Sequence, residues 1–77
     1  MNTKYYEAYI DGNLKAEYDT ESDAFALDKC YEALKKGLKD YPSSIDPIDV
    51  KIECDGKQIY YEVLIYNFEK ENWEIIK

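Results

Sequence analysis

The stretch IDVKIECDGKQIYYEVLIYNF, residues Ile48 to Phe68, decides the fold. Ile48, Val50, Ile52 and Cys54 alternate with Asp49, Lys51 and Glu53, the period of a strand with one face buried. Asp55-Gly56 follows, a pair suited to the two positive-φ positions of a tight hairpin turn, and the chain returns through Lys57–Phe68. An uninterrupted two-residue hairpin pairs Ile52 with Ile59, Val50 with Tyr61 and Ile48 with Val63. That register makes one apolar face and sends Tyr60, Glu62, Leu64, Tyr66 and Phe68 to the other.

Upstream, residues 4–18 read as a second hairpin around Asp11-Gly12-Asn13. A three-residue loop, with Asn13 taking the positive φ, pairs Ile10 with Leu14, Ala8 with Ala16 and Tyr6 with Tyr18. Tyr5, Glu7, Tyr9, Lys15 and Glu17 then point the other way. Residues 20–40 read as a helix capped by Thr20, with Asp23 at the third helical position. Its apolar stripe is Ala24, Leu27, Cys30, Tyr31, Leu34, Leu38 and Tyr41. Lys35, Lys36 and Lys39 suit its negative end, Gly37 costs about 1 kcal/mol relative to Ala, and Pro42 stops it. After Glu69–Asn72, a short strand over residues 73–77 pairs Phe68 with Trp73 and Tyr66 with Ile75. The order ββαβββ predicts a single α+β domain of two layers, an antiparallel sheet of about five strands with one helix packed on one face.

Composition narrows the partners. The chain has 77 residues, 45% hydrophobic and 16% aromatic, enough for one core at this size and too aromatic for disorder. Seventeen carboxylates face ten lysines, without arginine or histidine, for a net charge of −7. Between Tyr5 and Asp28 stand seven acids (Glu7, Asp11, Glu17, Asp19, Glu21, Asp23, Asp28) and one base, Lys15. A field that lopsided repels nucleic acid and anionic membrane and attracts basic protein surfaces. No apolar run reaches the length of a membrane span and the first residues lack a signal peptide's apolar stretch, so a cytosolic location is expected. The usage of Lys, Ile, Tyr and Asn, residues with AT-rich codons, points to a low-GC bacterium or its phages and plasmids.

Several chemistries are missing. Without histidine the commonest general base and metal ligand is absent, and without arginine there is no bidentate phosphate clamp. The three glycines are isolated, so no phosphate-cradling loop forms. Asp19-x-Glu21-x-Asp23 lacks the glycine and closing glutamate of a calcium loop, and its acids read as the start of a helix. Cys30 and Cys54 lack metal-ligand spacing and read as reduced core thiols; a regulatory disulfide needs Cα atoms within about 7 Å. No catalytic residue, metal site or cofactor is expected.

Two binding surfaces remain. Glu7, Glu17, Asp19, Glu21, Asp23, Asp28 and Glu32 form a candidate acidic surface for a basic partner protein, a nucleic-acid enzyme being one such partner. Tyr60, Leu64, Tyr66, Phe68, Trp73 and Ile75 form a candidate aromatic surface on the sheet face the helix leaves bare; the alternative is a bulge near Leu64 that turns them into the core. Phe25, ringed by Glu21, Asp28 and Glu32, is either a binding anchor or a cap on the core. In size, acidity, lysine without arginine and lack of a catalytic set, the chain is similar to phage-encoded inhibitors of bacterial defence nucleases, such as anti-CRISPR and anti-restriction proteins. That likeness of bulk features implies a non-enzymatic inhibitor acting as a nucleic-acid mimic. The competing expectation is an assembly module that dimerises or docks through its aromatic face.

Overall fold

A computed structural model describes residues 3–76. The elements run β1 (Lys4–Ile10), β2 (Asn13–Thr20), α1 (Asp23–Asp40), β3 (Ile48–Cys54), β4 (Lys57–Asn67) and β5 (Asn72–Ile75). The five strands form one antiparallel sheet in the order β2-β1-β3-β4-β5, with α1 on one face, the expected α+β two-layer architecture. β2 and β3 are parallel to each other with β1 between them, so α1 is a crossover that must lie above β1. It packs chiefly on β1 and β2 and meets β4 along one flank, where Tyr31 packs on Tyr60.

Both hairpin turns are two-residue turns with positive φ at each position, Asp11 (51°) and Gly12 (79°), then Asp55 (51°) and Gly56 (82°). In the first hairpin Ala8–Ala16 and Tyr6–Tyr18 pair as expected, but Ile10 meets Asn13 and Tyr9 meets Leu14. A bulge at Lys15 reconciles the shorter loop with the apolar face. The turn chemistry of Asp11-Gly12 and the burial of Ala8 and Tyr6 are both satisfied at the cost of one unpaired residue.

The second hairpin departs further. Cys54 pairs with Lys57 and Glu53 with Gln58, but Ile52 then pairs with Tyr60, Val50 with Glu62 and Ile48 with Leu64. Ile59 is the extra residue, and beyond it every side chain of β4 is on the face opposite to that of the uninterrupted hairpin. Tyr60, Leu64 and Tyr66 therefore lie on the helix side, and β5 follows, with Trp73 opposite Tyr66 and Ile75 opposite Leu64. The outward aromatic surface of Tyr60, Leu64, Tyr66, Phe68, Trp73 and Ile75 does not exist as expected. Leu64 is 3% exposed in the core, and Phe68 lies past the end of β4.

The core gathers Tyr6, Ala8 and Ile10 of β1, Ile48, Val50 and Ile52 of β3, Leu64, and Ala26, Cys30 and Leu34 of α1. The helix begins later than expected. Ser22, not Thr20, is the cap, its Oγ accepting from the Phe25 N–H at 3.2 Å, and Asp23 is the first helical residue. β2 continues to Thr20, and the Thr20 hydroxyl accepts from the Ser22 N–H at 3.2 Å. The buried stripe is turned accordingly: Ala26 is buried, while Ala24 is exposed and Tyr31 is at the margin. At the other end Tyr41 is extended ahead of Pro42.

Gly37 has a packing reason. A Cβ there would stand 2.7 Å from Cδ1 of Ile10, which is fully buried. Gly37→Ala is expected to forfeit most of the roughly 1 kcal/mol of helix propensity it should gain. Gly37→Leu is expected to destabilise by about 2 kcal/mol, by overpacking the α1–β1 contact. Urea unfolding of both variants checks this; a Gly37→Leu protein as stable as the parent would show that α1 does not approach β1 so closely.

Candidate functional site

Strand alternation that turns Tyr6, Ala8 and Ile10 toward the helix turns Tyr5, Glu7 and Tyr9 to the open face of the sheet. Register then builds rows across the strands. Glu17 of β2 is opposite Glu7 of β1, and Glu7 is opposite Glu53 of β3. Three carboxylates thus stand side by side on three adjacent strands, an arrangement that like-charge repulsion disfavours. Asp19 adds a fourth acid beside Tyr5 in the next row.

Tyrosine hydroxyls and one lysine surround the row. Tyr5 Oη donates to Glu17, and Tyr9 Oη donates to Glu7 Oε2 at 2.9 Å. Lys51 pairs with Glu53 at 3.2 Å and stands 5.0 Å from the centre of the Tyr9 ring. The hydrogen bond to Glu17, burial and the neighbouring Glu17 and Glu7 charges push the Tyr5 phenol up to about 12. The bond to Glu7, burial and the charges of Glu7, Glu53 and Glu17 push Tyr9 up in the same way.

On the same face, Tyr61 continues the Tyr9–Lys51 row, and Val63, Ile65 and Ile76 follow on β4 and after β5. Tyr61, Ile65 and Ile76 are 46%, 44% and 46% exposed. The open face is therefore acidic over β2-β1-β3 and mainly apolar over β4, with Lys51 at the seam and Glu74 of β5 opposite Ile65. These apolar residues are those the straight hairpin would have buried.

The other expected site residues divide among three places. Glu21 is exposed in the bend before α1. Asp23 accepts from the buried Tyr6 Oη and pairs with Lys4 at 3.7 Å, contacts that hold its carboxyl below the usual carboxylate range. Its charge fastens α1 to β1. Phe25 is half exposed, edge-on to Tyr18 at 6.4 Å with the Lys29 ammonium 5.8 Å from its ring. Asp28 and Glu32 belong to neither acidic group: they stand on the flank of α1 that overlooks β4 and β5. There Tyr60 meets Tyr31 edge-on at 5.2 Å, and Trp73 packs between Tyr66 and Tyr41 at 5.2 and 6.1 Å. Glu53 was missed as a site residue because it comes from the other hairpin and joins Glu7 only through the β1–β3 pairing.

Cys30 is buried and Cys54 half-buried, both free, and burial pushes the Cys30 thiol up. Among the described residues, no group of three or more Cys, Asp or Glu is placed to hold a metal ion, and no helix is long and apolar enough to cross a membrane. Comparison with protein-family models, curated proteins and solved structures returns no match.

The tyrosine network has a pH signature. Hydrogen bonds to carboxylates raise Tyr6 through Asp23 and Tyr41 through Asp11, besides Tyr5 and Tyr9. A phenol whose folded pKa exceeds its unfolded value of about 10 contributes stability that is complete below that pH and lost as pH rises through the folded value. For Asp23 the sign reverses: its contribution is present above the unfolded value of about 3.9 and lost as pH falls through the folded one. Thermal midpoints are expected to decline above about pH 10, with phenolate absorbance lagging that of free tyrosine. Tyrosine absorbance that follows the free amino acid would contradict these bonds.

Proposed function

We propose that this protein is a non-enzymatic binder that occupies a basic surface of a partner protein through the open face of its sheet and so blocks it. The observation carrying this reading is the Glu17–Glu7–Glu53 row. Opposing three carboxylates costs the fold repulsion that its bonds to Tyr5 and Tyr9 and the Lys51 pair offset only in part, whereas Asp23 at the helix start faces no such opposition. Rules broken at a cost to folding concentrate at functional sites. Carboxylates steer a basic partner into encounter, and the adjoining Tyr61, Val63 and Ile65 supply the apolar contact that slows departure. A surface that normally holds nucleic acid has the required charge, which makes a nucleic-acid enzyme the favoured target and a nucleic-acid mimic the favoured mode. The likeness to phage inhibitors of host nucleases supports the same reading.

The test immobilises the parent and the variant Glu7→Gln/Glu17→Gln/Glu53→Gln and exposes both to a bacterial lysate. Expected is a nucleic-acid enzyme retained by the parent, released between about 0.05 and about 0.5 M salt, and lost from the variant. Equal retention by both overturns the reading. One observation favours a second function: the exposed Tyr61, Ile65 and Ile76 suit a self-association surface. A dimer in sedimentation that Ile65→Lys dissolves, joined to salt-indifferent behaviour, would select the assembly module instead.

A further inference from the structure

The opposite side of the sheet holds a second surface that the acidic row does not explain. Because α1 sits over β1 and β2, the helix-side faces of β4 and β5 are only partly covered, by the α1 flank where Tyr31 meets Tyr60 and by Tyr41 against Trp73. The result is a groove of about 840 Å³ whose floor includes Val50, Tyr60, Leu64 and Trp73 and whose wall is the flank of α1 bearing Tyr31 and Leu34. Adjacent strands lie about 4.8 Å apart, so the strip from β3 to β5 is about 10 Å wide, the diameter of one helix. An added strand suits the site less well. A strand would add at the free edge of the four-residue β5 and would leave the groove floor uncovered.

Charge fixes a direction. Asp28 and Glu32 line the groove beside the first half of α1, and Lys35 and Lys39 line it and its continuation beside the second half. Trp73 stands at the lysine end, where, among the described residues, Glu71 is the one acid in the lining. A helix lying parallel to α1 would set its positive N-terminus against the two acids. Its C-terminal carbonyls, partially negative and free of internal partners, would face the two lysines. From Asp28 to Lys39 the wall runs about 16 Å, three helical turns.

We infer that this groove receives an amphipathic helix of a partner protein, about three turns long, basic in its first turns and running in the same direction as α1. It completes the second layer of the sandwich, with its apolar stripe on Tyr60, Trp73 and Ile75. The proposal is independent of the open-face reading, since it concerns the other side of the sheet.

The probe is a blocked synthetic peptide of about sixteen residues with leucines at helical spacing and lysines confined to its first two turns. Its partner peptide has the same composition with the lysines confined to the last two turns. Trp73 is the only tryptophan and reports occupancy directly. Free peptides of this length are marginal helices, so far-ultraviolet dichroism reads the helix formed on binding. Expected are a saturable Trp73 change and a gain of helicity with the first peptide, and binding about tenfold weaker with the second. The double charge reversal Asp28→Lys/Glu32→Lys, at exposed positions, is expected to reverse that preference. Equal binding of the two peptides, no saturable Trp73 change, or bound peptide that gains strand in place of helix overturns the proposal. So does an equal loss in the Glu7→Gln/Glu17→Gln/Glu53→Gln protein, which would mean that net charge alone holds the peptide.

Discussion

Ile52→Ala is expected to destabilise the protein by about 3–4 kcal/mol, while Ile59→Ala, seven residues on, costs under about 1 kcal/mol. Ile52 is fully buried on the central strand β3, with Ala8 beside it on β1 and Tyr60 beside it on β4. Its small neighbour Ala8 and the ladders on both sides leave little freedom to close the cavity, which places the cost in the upper part of the usual range. Ile59 is the bulged residue and 46% exposed. A domain of this length has roughly 4–12 kcal/mol of stability in total, so Ile52→Ala consumes much of it. The pair also tests the register of the second hairpin. A hairpin without the bulge packs Ile59 against Ile52 and places Leu64 outside. Both isoleucines would then cost several kcal/mol, and Leu64→Ala would cost almost nothing. Urea unfolding of the three variants, compared at constant m-value, separates the two registers.

That register was the part of the fold hidden from the sequence. The turn at Asp55-Gly56 was legible because only a few residue pairs accept two successive positive φ angles. The strand that follows it was not. From Ile59 to Tyr66 both parities are apolar, Ile59, Tyr61, Val63 and Ile65 against Tyr60, Leu64 and Tyr66, so alternation gave no preference for either face. Glu62 was the only polar marker, and it pointed the wrong way. It is on the helix side, opposite the buried Val50, at a place α1 does not roof. A bulge whose extra residue is an ordinary isoleucine leaves no compositional trace. The bulge at Lys15 escaped for the same reason, though there Ala8 and Tyr6 kept the outcome legible.

The acidic surface was legible in kind and not in extent. Counting along the chain groups Glu7 to Asp28, but the fold divides that run: Glu7, Glu17 and Asp19 on the open face, Asp23 bound to Tyr6, and Asp28 with Glu32 over the groove. Glu53 enters only once β1 is known to pair with β3, a long-range contact that no local pattern encodes. Phe25 lies between the expected extremes, leaning on Tyr18 and open to solvent on its other side.

Replacing Glu7, Glu17 and Glu53 together by glutamine is expected to move stability and binding in opposite directions. The glutamines at positions 17 and 7 keep a carbonyl oxygen that can accept from Tyr5 and Tyr9, so the hydroxyl bonds survive while two like-charge oppositions vanish. The gain is about 0.5–1 kcal/mol, less the Lys51–Glu53 pair, whose partners are partly exposed and whose loss costs a few tenths of a kcal/mol. Association with a basic partner should slow by about tenfold or more at low salt, because encounter is steered by the summed field of the face, and its salt dependence should flatten. Dissociation, set by Tyr61, Val63 and Ile65, should change much less. Thermal unfolding and stopped-flow association across ionic strength give the two readouts. A destabilised variant would mean that the row is a structural network held by its tyrosines. A stabilised variant with an unchanged association rate would place the recognition surface elsewhere. Only the opposed pair of changes fits a row of charges kept for a partner against the interest of the fold.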